Sequence, residues 1–140
     1  MKFLEQVDRH SLAIISLLVA LSALGYNTWR NEQTEHNRNI RQAGFEMLLH
    51  ISELQRITYL AHFDEDRQAG NPRKGSVEVL VLRDLARLIP ESGQVLSEAL
   101  VNVWNENWKG LGNDDEAVAA IDNAINDLRM DVVRILESLD

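Results

Sequence analysis

The stretch SLAIISLLVALSALGY, Ser11 to Tyr26, runs for sixteen residues without a charged side chain. As a helix rising ~1.5 Å per residue it spans about 24 Å, short of a hydrocarbon core of about 30 Å. Counting outward to the nearest charges closes that gap. Arg9 and Arg30 bracket twenty residues, about 30 Å of helix, and both can extend their heads outward along their own stems. Tyr26 and Trp29 then fall where aromatic belts form at a membrane interface. The pattern predicts a single-pass anchor over residues 11–29, in which Leu12, Ile14, Ile15, Leu17, Leu18, Val19, Leu21, Leu24, Tyr26 and Trp29 meet membrane lipid, preceded by a short tail over residues 1–10.

Two other readings compete. Ala23-Leu24-Gly25 has the small residues of a signal-peptide cleavage site, but the leading MKFLEQVDRH balances Lys2 and Arg9 against Glu5 and Asp8 instead of being basic. A buried core helix of a soluble protein would need enclosure on every side, because the apolar residues cover the whole circumference. An uncleaved anchor is therefore expected. The cations divide almost evenly across it, Lys2 and Arg9 against Arg30, Arg38 and Arg41, so positive charge hardly selects a side. The commoner arrangement for such an anchor favours a bacterial inner membrane with the soluble domain in the periplasm. Ser16 and Ala20 form a small-xxx-small pair of the kind that lets membrane helices approach closely.

Outward from the anchor, residues 30–42 are polar, rich in Asn and charge, and free of Pro and Gly. Glu35 and Arg38 stand three apart, where opposite charges support a helix. A helix that is polar all round bridges solvent between packed regions, so a hydrated helical stalk is expected, with a flexible linker as the alternative.

Residues 43–140 read as a small bundle of about four helices, coiled-coil-like in its last member. Ile40, Gly44, Met47, Ile51, Leu54, Thr58 and Ala61 recur every three or four residues and mark one face of a helix reaching Phe63. Phe45, Ile57, Tyr59, Leu60 and Phe63 lie off that face, which predicts cover on several sides at its far end. DEDRQAGNPRKG, residues 64–75, is a loop, and Ser76 is the expected N-cap of a second helix ending before Pro90. A third helix spans about Ser92 to Lys109, and the Asn113-Asp114-Asp115-Glu116 run starts a fourth. In that fourth helix Val118, Ile121, Ile125, Leu128, Val132, Ile135 and Leu139 step by three and four without a miss. This is a seam about three heptads long, suited either to the chain's own core or to a second copy.

The 140 residues carry 14 basic and 22 acidic side chains, a net charge of -8, with no cysteine. Nucleic-acid binding needs clustered Lys and Arg, so that class is excluded. Disulfides, thiolate catalysis and zinc fingers are excluded as well. Glu46, His50 and Glu53, and His62 with Glu65, have helical ligand spacing, but the second to fourth helices contain no histidine to complete a metal-binding core. Ser52 and Ser76 lack a glycine-framed nucleophile turn, and the Gly70-to-Gly75 turn lacks a phosphate-loop pattern. No enzyme, cofactor or metal is expected. The reading is an interaction module at a membrane that binds a protein partner or self-associates, with Trp104, Trp108 and the seam as its partner-binding surface. A helical sensor holding a small ligand near Trp104 and Trp108 is the alternative.

Overall fold

Sixty-one residues without a proline, interrupted only by Gly25 and Gly44, form one helix, α1, Lys2–His62. The computed structural model describes residues 2–64 and 66–139, with side chains from residue 10 onward. The side chains of the tail before His10, Arg9 among them, and Glu65 of the His62 pair lie outside the described residues. Three further α-helices follow: α2, Pro72–Ala86; α3, Glu91–Asn107; and α4, Asp115–Glu137. A single 3-10 turn, Trp108–Gly110, extends α3, and the described residues contain no strand. The chain divides within α1 into two units, Met1–Arg38 and Asn39–Asp140.

The first unit is helix alone. Three of its hydroxyls turn back onto their own backbone: Ser22 donates to the Leu18 carbonyl at 2.8 Å, Thr28 to Leu24 at 3.0 Å and Thr34 to Arg30 at 2.9 Å. Among the described residues one helix is long and apolar enough to cross a membrane, and none of its apolar window is buried by the chain. The polar stretch over residues 30–42 is helical throughout.

The second unit is built around one apolar core. Ile40, Ala43, Met47, Ile51 and Leu54 of α1 enter it, with Val79, Leu82 and Ala86 of α2, Leu100 and Trp104 of α3, and Ile121, Ile125, Leu128, Val132 and Ile135 of α4. The core begins at Ile40, inside the polar stretch. At the far end of α1 the expected cover is missing. Ile57 is buried, but Phe45, Tyr59 and Phe63 are exposed and Leu60 is half-buried, because the other helices pack on only one side of α1.

Local chemistry sets the helix ends, and α2 starts four residues before Ser76. Asn71 is its N-cap, accepting the Arg73 N–H at 2.9 Å, and Pro72 occupies the first helical position, where its missing N–H costs nothing. Ser76 instead donates within the helix to the Pro72 carbonyl at 3.2 Å and accepts the Trp104 indole N–H at 3.0 Å. Gly75, which looked like the last residue of the loop, is a buried helical position. At the start of α4, Asp114 accepts the N–H groups of Glu116 and Ala117 at 3.0 and 3.2 Å. Asp114→Ala removes both acceptors and is expected to destabilise the unit by about 1 kcal/mol, read as a lower midpoint with an unchanged slope in urea unfolding.

Candidate functional site

The apolar segment presents its side chains outward on all sides. Leu12, Ile14, Ile15, Leu17, Leu18, Val19, Leu21 and Leu24 are each between 56% and 65% exposed, and Tyr26 and Trp29 are exposed to the same degree. The Tyr26 and Trp29 rings lie 6.1 Å apart, tilted by 42°. Soluble monomers seldom leave so continuous an apolar surface open to water. The Ser22 and Thr28 hydroxyls are already bonded to backbone carbonyls of the same helix, which lowers the cost of placing them in hydrocarbon.

The seam faces inward. Ile121, Ile125, Leu128 and Val132 are 0% exposed, Val118 and Ile135 are buried, and Leu139 is half-buried at the margin. These side chains pack against α1, α2 and α3 of the same chain, so they present no face to a second copy in this fold. Trp104 is also core, 1% exposed, whereas Trp108, one turn on, is half-buried beside the surface loop. Of the residues expected to meet a partner, only Trp108 and Leu139 retain substantial surface. The three-and-four spacing is the same for an internal seam as for an intermolecular one, and the neighbouring helices decide which it is.

Three of the titratable residues singled out by their spacing, His50, Glu53 and His62, are engaged by groups outside that set. The His50 Nδ1 lies 2.6 Å from Glu78 Oε2, joining α1 to α2. Glu53 receives two hydrogen bonds from the Arg56 guanidinium at 2.7 and 2.8 Å, which holds its carboxyl below the ordinary range and raises Arg56. His62 places Nδ1 3.1 Å from the Leu111 carbonyl and Nε2 3.0 Å from Asp115 Oδ1. A carbonyl only accepts, so Nδ1 carries the proton there. Ser52 donates to its own helix at Leu48. A network that periodicity gave no sign of ties α1 to α4. Arg129 donates to Gln55 Oε1 at 2.6 Å, Gln55 donates to Asp122 at 2.9 Å and to the Tyr59 hydroxyl at 3.0 Å, and Tyr59 donates to Asp122 at 3.1 Å. Long polar side chains a heptad or more apart in sequence carry no signal that they meet.

The loop after α1 and the turn after α3 enclose a cleft of about 500 Å³, with Trp108, Arg67 and Lys109 on its walls. Asp66 organises the loop. Its Oδ1 accepts the N–H groups of Gln68 and Ala69, both at 2.9 Å, which lower its pKa below the ordinary carboxylate value. That contribution to loop order is present above the ordinary carboxylate pKa and is lost as pH falls through the lowered one. Comparison of the chain with family models, curated proteins and solved structures returns no match.

Proposed function

We propose that this chain is a non-enzymatic, membrane-anchored helical interaction module. It holds the domain of residues 39–140 beside a bacterial inner membrane, on the periplasmic face, where the domain binds a protein partner or a second copy of itself. The observation that carries this reading is the exposed apolar segment from Leu12 to Trp29, together with a second unit whose core begins only at Ile40. Covering that segment with lipid removes its side chains from water at about 25 cal/mol per Å² of apolar surface, and nothing in the second unit's core depends on it. Exposed Phe45, Leu49 and Phe63 on α1 give a partner apolar surface to cover.

Fractionation tests the anchor. The full chain is expected in the membrane pellet after alkaline carbonate washing, while a fragment of residues 39–140 remains in the supernatant with an unchanged melting temperature. Val19→Arg puts a charge near mid-span, costing about 3 kcal/mol on insertion scales, and should release part of the full chain. Recovery of the unaltered full chain in the aqueous fraction would overturn the reading. A reporter fused after Asp140 reads the side of the membrane. The sensor alternative draws on the cleft beside Trp108.

A further inference from the structure

We infer that the cleft between the loop after α1 and the turn after α3 is a binding site for a small aromatic anion, about the size of a nucleoside monophosphate. Its volume of about 500 Å³ falls within the range of about 300–1,000 Å³ typical of small-molecule sites. Ala61, Pro72 and the half-buried Trp108 indole supply apolar wall against which a planar ring packs. Arg67 and Lys109 supply positive charge, and neither is paired with a carboxylate among the described residues. The Lys109 ammonium stands 5.7 Å from the centre of the Trp108 ring, so ring and cation are presented together. Among the described residues Asp66 is the one acidic group on the wall, and the N–H groups of Ala69 and Gln68 share the charge of its Oδ1.

The walls are fixed by close backbone packing. A Cβ on Gly70 would lie 2.3 Å from the Ala61 backbone nitrogen, and one on Gly110 would lie 2.8 Å from the Ala117 Cβ. Those contacts hold the loop against α1 and the turn against α4, so little ordering cost falls on ligand binding. The planar, partly apolar wall selects for a ring and the two cations for the anion. Neither half of such a ligand satisfies the cleft alone.

The test follows the indole N–H resonance of Trp108 in the full chain, held in nanodiscs of zwitterionic lipid, during titration with adenosine monophosphate. A saturable shift is expected with a dissociation constant of about 1 mM or tighter. Adenosine and inorganic phosphate, each carrying one half of the chemistry, should bind at least about tenfold more weakly. Arg67→Glu combined with Lys109→Glu should abolish saturation while leaving the thermal unfolding transition in place. Three results would each overturn the inference: no saturable shift with adenosine monophosphate, equal response to either half, or retained binding in the folded double variant. Sedimentation with membranes reports separately on the anchor, so failure of one reading leaves the other standing.

Discussion

Ile125→Asp combined with Leu128→Asp is expected to abolish cooperative folding of the second unit, with loss of the near-ultraviolet signal of its tryptophans. Both side chains are fully buried, three residues apart on α4, in the core shared by all four helices. A carboxylate at either position has no cation waiting for it, so it must be desolvated unpaired or taken up as the neutral acid. Either route costs several kcal/mol per site. Together the two reach the whole stability of a domain this size, about 5–15 kcal/mol. Ile125→Val serves as the scale, since it removes one methyl group and should cost about 0.5–1.5 kcal/mol. The double variant also separates two geometries that share one periodicity. A seam buried between copies would break into folded monomers with an intact melt, and that outcome would sink the internal packing described here.

How much was legible beforehand follows from the same distinction. Periodicity located α4, its apolar face and the apolar segment, because a side chain's neighbours three and four residues away are fixed by the helix itself, but it left open whether that face meets the chain's own core or a second copy. The acidic start of α4 was equally readable, since capping is a local event and Asp114 lies next to the N–H groups it accepts. What could not be read is where a residue goes once helices meet. Ser76 has the chemistry of a cap, yet the Asn71-Pro72 pair four residues earlier makes the better start and leaves Ser76 to accept the Trp104 indole. Phe63 and Phe45 are as apolar as Ile57, but only Ile57 turns toward the other helices. The cleft is the extreme case. Arg67 and Lys109 are forty-two residues apart in sequence, and only the close packing at Gly70 and Gly110 brings both to one cavity.

Trp104 is the other position where a single change should be felt throughout the unit. It is the largest fully buried side chain and packs α3 onto α2, donating its indole N–H to Ser76. Trp104→Ala leaves a cavity of indole size and is expected to cost about 3–5 kcal/mol, read from urea unfolding. Its counterpart is Gly75. Alanine in place of glycine inside a helix normally stabilises by about 1 kcal/mol. Here, however, the added methyl would lie 2.2 Å from Cη2 and 2.5 Å from Cζ2 of Trp104. A rigid ring already enclosed by the core cannot move aside as a flexible chain end does, so overpacking at about 1–3 kcal/mol outweighs the helical gain and Gly75→Ala should destabilise. The two substitutions are then coupled in a defined direction. Once Trp104 is alanine, the methyl at position 75 enters empty space and the helical preference is recovered. The double variant should therefore be more stable than the sum of the two single losses predicts, by more than about 1 kcal/mol. Strict additivity would mean that Gly75 and Trp104 do not touch, and the packing of α2 on α3 would have to be redrawn.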